Sequence, residues 1–133
     1  MTTFHAVVWM DHQEAHVLMF DRVHVESQRV KSRSHHKHQG KFGETAAFYA
    51  EVAQALHGAH EVLVTGPGRA RDEFRDWCKS HNTAVGKAIV DSVPSDHPSD
   101  AQVVAMARQY FKNVRWAYVG DPSKIKLDRL LRF

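Results

Sequence analysis

Between Arg29 and Gly43 the chain carries Arg29, Lys31, Arg33, Lys37 and Lys41 with no acidic residue, and His35, His36 and His38 are interleaved among them. Lysine and arginine at this density supply charge for phosphates, and imidazoles supply donors and stacking planes. Glycines such as Gly40 and Gly43 let a loop adapt its backbone to a ligand. Contact with RNA is the chemistry this combination suits best. Two other readings use the same residues. The neutral imidazoles of His35, His36 and His38 are metal ligands by type, although such close histidines rarely all reach one ion, and no Cys or Asp lies nearby. A solvated loop kept basic for solubility needs no ligand at all.

Other residue sets carry weaker chemistry. Thr65-Gly66-Pro67-Gly68-Arg69-Ala70-Arg71 follows an apolar run and opens a helical pattern. The first amides of such a helix can hold an anion, with Arg69 and Arg71 in support. The third glycine of a dinucleotide fingerprint and the Gly-Lys-Ser/Thr of a phosphate loop are both missing, so a structural turn is the simpler reading. Asp11, Glu51 and Asp91 are the acids that could serve a metal-dependent nuclease, which needs carboxylates converging on its ions; their spacing does not favour it. Cys78 falls on an apolar helical stripe and reads as a buried, inert thiol. There is no Gly-x-Ser-x-Gly elbow.

The elements that must position these residues follow from periodicity. Phe4–Met10 is β-branched and aromatic and predicts a strand; Asp11–Glu14 has hairpin length; Ala15–Phe20 and Arg22–Val30 alternate, the latter with Val23 and Val25 on one face. These predict an antiparallel meander. Lys31–Gly43 predicts a long exposed loop. Phe48, Val52, Ala55 and Leu56 mark a helix over Glu44–His57, Glu61–Thr65 a buried strand, and Ala70, Phe74, Trp77, Cys78 and His81 a helix over Arg69–His81 ending near Asn82. Ala84–Val93 predicts a strand. Ser99–Lys112 predicts a helix with Ser95, Asp96 and Ser99 as candidate caps, and Val114–Val119 a short strand before a basic tail from about 120 to 133. The order βββ-α-β-α-β-α predicts an α/β fold with a mixed β-sheet and helices on its faces, in a single domain over 1–133.

The 133 residues are 43% hydrophobic and 25% charged, which excludes a disordered, collagen-like or coiled-coil chain. The net charge of +3 hides a strong asymmetry. Residues 29–41 hold five bases and no acid, and residues 108–133 seven bases and two acids, whereas residues 42–107 hold five bases and nine acids. Two basic segments on an acidic body are the footprint of a polyanionic partner. A single cysteine allows no intrachain disulfide and predicts a reducing, cytoplasmic compartment. The opening Met1-Thr2-Thr3-Phe4-His5 has no basic n-region, and no apolar run has the length of a membrane span.

Three features in order resemble the middle domain of archaeal and eukaryotic class 1 peptide release factors and of Pelota: a strand ending in an acid, Val7-Val8-Trp9-Met10-Asp11; a meander leading into a basic loop, His35 to Gly43; and an apolar strand, small-residue turn and helix, Val62 to Phe74. The likeness covers roughly residues 4–113. It implies a ribonuclease-H-like mixed sheet, ribosome or tRNA association, and a role in ribosome rescue or dormancy. Release factors carry a Gly-Gly-Gln motif in the basic loop. This chain has Gln39-Gly40-Lys41-Phe42-Gly43 there, so peptide hydrolysis does not carry over.

The expectation is therefore a translation-associated, ribosome-, rRNA- or tRNA-binding protein without a cofactor. Its RNA contacts are Arg29, Lys31, Arg33, His35, His36, Lys37, His38 and Lys41, together with Arg69 and Arg71 at the helix start. A second surface would use Arg115, Lys124, Lys126, Arg129 and Arg132. The alternative is a hydrolase on the same fold, either a metal-dependent nuclease or a peptidyl-tRNA hydrolase.

Overall fold

A computed structural model of the protein describes residues 4–21, 23–32 and 41–120, with side chains over 45–112 in the last stretch. Five strands form one mixed sheet: β1 (His5–Met10), β2 (Glu14–Phe20), β3 (Val25–Lys31), β4 (Glu61–Gly66) and β5 (Ile89–Pro94), in the spatial order β3-β2-β1-β4-β5. The β1–β2 and β2–β3 pairs are antiparallel; β4 lies parallel to both β1 and β5. The mixed sheet of the sequence reading is borne out.

Why the strands read as they do follows from their places. β1 and β4 are central and covered on both faces, so HAVVWM and EVLVTG are nearly continuous apolar runs rather than alternating ones. β3 is an edge, and only Val30 of its seven residues is buried. Val23 and Val25, placed on one face by alternation, are both exposed. Val23 stands in the β2–β3 turn, where the Asp21 carboxylate accepts from the amides of Val23 and His24, and Val23 and Val25 are 78% and 46% exposed.

Helices cover both faces. On one face α1 (Lys41–Ala55), α2 (Ala70–His81) and the short α3 (Thr83–Ala88) close over Val8, Met10, Val17, Val62 and Val64 with Phe48, Val52, Leu56, Phe74 and Cys78. On the other, α4 (Asp100–Gly120) packs Val103, Val104, Ala107 and Phe111 onto Val7, Trp9, Leu18, Phe20 and Leu63.

Several boundaries differ from the expectation. β3 begins at Val25 rather than Arg22 and takes in Lys31, which was expected in the loop. The α1 backbone begins at Lys41, so residues 41–43 belong to the helix rather than to the loop. Residues 83–88 form a helix instead of a strand, because Asn82 both ends α2, through its amide to the Cys78 carbonyl, and caps α3, its side chain accepting from Val85 N at 3.2 Å. The expected strand Val114–Val119 is a continuation of α4. The start of α4 follows the reading: Ser99 Oγ accepts from the Gln102 amide at 3.2 Å while Gln102 Oε1 accepts from the Ser99 amide at 2.9 Å, a capping box. Among the described residues no helix is long and apolar enough to cross a membrane.

Candidate nucleic-acid interface

In a parallel sheet the carboxyl ends of the strands share one edge, and loops there gather residues from distant parts of the chain. Here β1, β4 and β5 end at that edge, and the antiparallel β2 begins at it while β3 ends at it. The edge therefore holds the Asp11–Gln13 hairpin, the exit from β3 at Ser32, the Gly66-Pro67-Gly68 turn, the loop 95–99 and the N-termini of α2 and α4. Ser32 is tied beside the hairpin, its amide donating to the Gln13 carbonyl at 2.8 Å.

Arg29 and Lys31 reach this edge on β3. Val30 between them points into the core under α1, so strand alternation turns both cations to the α4 face. Both are exposed. Arg29 stands directly across from His16, and Lys31 across from Glu14. Arg33, His35, His36, Lys37 and His38 lie outside the described residues, as do the side chains of Lys41 and Arg115 and all of Lys124, Lys126, Arg129 and Arg132.

The Gly66 turn has a steric cause. Gly66 has φ +139°, and a Cβ built there would lie 2.0 Å from the Met10 carbonyl oxygen, so β4 can approach the end of β1 only with glycine. The turn brings Arg69, which is exposed, and Arg71 to the edge. They behave differently. The Arg71 side chain is 13% exposed and directed inward: Nη1 lies 3.1 Å from Asp72 and 3.4 Å from Ser92 Oγ, and Ser92 Oγ donates to Asp72 at 2.6 Å. Arg71 thus ties α2 to β5, and Arg69 is the cation of this pair that faces solvent.

A second network joins the roots of the basic segment. Glu73 Oε1 lies 2.8 Å from His12 Nε2, in the hairpin, and accepts from the Tyr49 hydroxyl of α1 at 3.3 Å. Burial, followed by the adjacent Glu73 carboxylate, pushes the Tyr49 hydroxyl up to about 12, so it remains a donor. These contacts hold α1 and α2 to the hairpin beside which the segment leaves β3.

The acids weighed for hydrolysis do not converge. Asp11 Oδ1 accepts from the amides of Gln13 and Glu14 and shapes the hairpin; Asp91 on β5 accepts from the Tyr110 hydroxyl of α4; Glu51 is exposed on α1. Among the described residues no group of three His, Cys, Asp or Glu side chains is placed to hold a metal ion. Cys78 is fully buried, and burial pushes its thiol up to about 12.

Sequence reasoning missed a cluster on the α4 face of this edge. His16 Nδ1 lies 2.7 Å from Asp100, at the start of α4, and Nε2 3.3 Å from Glu14. The Trp9 indole donates to the Asp96 carbonyl at 2.7 Å, and its ring contacts those of His16 and His97 at 5.4 and 5.1 Å. The strand position of Trp9, opposite His16 in a hairpin of this length, was the one signal available.

This architecture recurs in solved structures. The Pelota protein of Archaeoglobus fulgidus matches over 97% of this chain and 38% of its own, with 19% identity and a TM-score of 0.62. The archaeal translation termination factor matches over 94% and 41%, with 13% identity and a TM-score of 0.60. The Pelota protein of Thermoplasma acidophilum matches over 77% and 30%, with 24% identity and a TM-score of 0.57. The chain has the Pelota and termination-factor fold. It spans well under half the length of those proteins. No protein-family model matches the sequence, and no curated protein matches it. The resemblance drawn from the strand–acid, basic-loop and turn–helix segments is thus matched by a Pelota-like architecture.

Proposed function

We propose that this protein binds the ribosome through rRNA or tRNA phosphates, using the basic segment 29–41 on a Pelota-like domain, and acts in translation without promoting peptide release. The observation that carries the reading is the exposed pair Arg29 and Lys31 on one face of the edge strand β3, with the segment holding Arg33, His35, His36, Lys37, His38 and Lys41 following directly after Ser32 in the sequence. Clustered cations on a single edge suit a nucleic-acid backbone, which is read by charge before it is read by sequence. The fold supports the same direction, since its solved neighbours include a termination factor. Rescue or dormancy suits a domain with Gln39-Gly40-Lys41 where release factors carry Gly-Gly-Gln. The tail cations Lys124, Lys126, Arg129 and Arg132, with Arg115, would form a second contact surface. The setting is the cytoplasm.

The test is pelleting of ribosomes with the full chain and with its Arg33→Ala/Lys37→Ala/Lys41→Ala variant. The wild type pellets with ribosomes and the variant stays in the supernatant; equal pelleting of both refutes the reading.

A further inference from the structure

β3 forms one border of the sheet, and only half of its backbone is used. The register that sets Glu14 opposite Lys31 and Phe20 opposite Val25 continues to Gln13 with Ser32 and to Asp21 with His24. In both of these flanking pairs an amide donates to the facing carbonyl. Hydrogen-bonded pairs alternate along an antiparallel ladder, so Glu26, Gln28 and Val30 bond to β2. The amides and carbonyls of Val25, Ser27, Arg29 and Lys31 therefore point away from the sheet. Among the described residues β2 is the one strand beside β3, and no loop backbone pairs with this outward row. The core beneath α4 takes in residues of β1, β2, β4 and β5 and, among the described residues, none of β3.

Sheet borders that must stay single carry a bulge, a proline or a very short strand. The opposite border has such devices: β5 pairs with β4 through a register shift between Val62 and Leu63 and ends in Pro94. β3 has neither. It runs for seven residues, VESQRVK, in unbroken register. Val23 and Val25, the large apolar side chains left exposed among the described residues, lie at its start.

The charges on β3 restrict which strand can join it. Two copies of β3 can meet edge to edge about a two-fold axis. The outward rows pair only when odd-numbered residues face odd-numbered residues, so the axis passes through a residue of the strand. An axis at Gln28 overlaps all seven residues. Val25 then faces Lys31 of the second copy, Ser27 faces Arg29, Glu26 faces Val30, and Gln28 faces Gln28. No like charges are opposed. Val25 is covered by the aliphatic stem of a lysine, and the Gln28 amide lies diagonal to a Glu26 carboxylate. The two Arg29 side chains become diagonal neighbours, an exposed pair that salt screens. Axes at Glu26, Arg29 and Val30 instead set Glu26 on Glu26, Arg29 on Arg29, and Arg29 on Lys31. An axis at Ser27 leaves Val30 and Lys31 facing His24 and Val23, outside the strand.

We infer that this border is a dimer interface: two copies of the chain join antiparallel through β3, with Gln28 on the axis, and merge their five-stranded sheets into one. The strand is self-complementary in the one register that overlaps it fully, which is what a two-fold contact requires and an unrelated partner does not. The inference is independent of the RNA-contact reading. Its consequence for that reading is that Arg29 and Lys31 of both copies stand on a single face.

The experiment is sedimentation velocity of the full-length protein and its variants across the micromolar range. The wild type sediments as a dimer that dissociates on dilution. Ser27→Pro removes an outward amide and leaves the bonds of Glu26, Gln28 and Val30 to β2 in place, so it sediments as a monomer with an unchanged circular dichroism spectrum. Gln28→Glu opposes two carboxylates on the axis and weakens the dimer roughly threefold to fivefold, the scale of one opposed cross-strand pair. Mixing Gln28→Glu with Gln28→Lys restores the dimer through a glutamate–lysine pair. A wild type that stays monomeric throughout overturns the inference, whether the border is then free, closed by another part of the chain or reserved for a different partner. A dimer that survives Ser27→Pro in a folded protein also overturns it, because the contact then lies elsewhere. So does Gln28→Glu that self-associates as well as the wild type and shows no preference for Gln28→Lys. The Gln28 pair decides alone where Ser27→Pro does not fold.

Discussion

Replacing Arg29 and Lys31 together by alanine isolates the described part of the basic surface. Both side chains are exposed on an edge strand, and Glu14, the cross-strand neighbour of Lys31, is turned to His16. Truncation therefore leaves the fold within about 0.5 kcal/mol of its original stability. Each phosphate contact on a single strand contributes roughly 0.7 to the slope of log affinity against log salt, so two lost contacts lower the slope by about 1.4. At roughly 0.1 M salt the same term weakens binding by about 25-fold, and the gap narrows as salt rises. Fluorescence anisotropy with a labelled single-stranded RNA, from about 0.05 to 0.2 M salt, measures both quantities. A variant with an unchanged slope refutes the argument, because the two cations would then stand away from phosphate. A uniform loss at all salt concentrations with parallel slopes also contradicts it, since that is the mark of a damaged fold.

Other outcomes follow from single residues. Gly66→Ala forces a Cβ to within 2.0 Å of the Met10 carbonyl at a φ that side chains avoid; chemical denaturation should show a loss of about 3–5 kcal/mol. His5, held down to about 4 by burial and then by His60, binds fewer protons folded than unfolded between about pH 4 and 6.5. Its contribution of about 3 kcal/mol is complete above pH 6.5 and lost as pH falls to 4, and His5→Phe should flatten that part of the pH–stability curve. Cys78, buried with its thiol pushed up, should resist alkylation at neutral pH until denaturant unfolds the chain; fast modification of the native protein contradicts its placement. Protonation of His35, His36 and His38 should tighten RNA binding as pH falls from about 8 to 5.5, and a flat profile removes them from the interface.

The sheet was legible where burial dictates composition. The apolar runs of β1 and β4 and the alternation of β2 follow directly from their places at or near its centre. The misreadings came where local signals compete. Thr83–Ala88 is short and carries Val85 as its buried apolar anchor, so periodicity had little to act on, and the double role of Asn82 appears only once its side chain is seen on Val85. Val23 and Val25 alternate as a half-buried strand does, yet edge position and the Asp21 turn leave them exposed. The cations of the candidate interface were visible as a charge run. The cluster of Trp9, His16 and His97 was not, because Trp9 and Asp96 stand 87 residues apart and meet only through the parallel pairing of β1, β4 and β5.

Crosslinking of the full-length protein to isolated ribosomes, with the protein–RNA adducts mapped by mass spectrometry, reads the contact residues themselves. The account predicts adducts concentrated between Arg29 and Lys41, with a lesser set near Arg69. Adducts confined to other surfaces, or none on RNA at all, would contradict it.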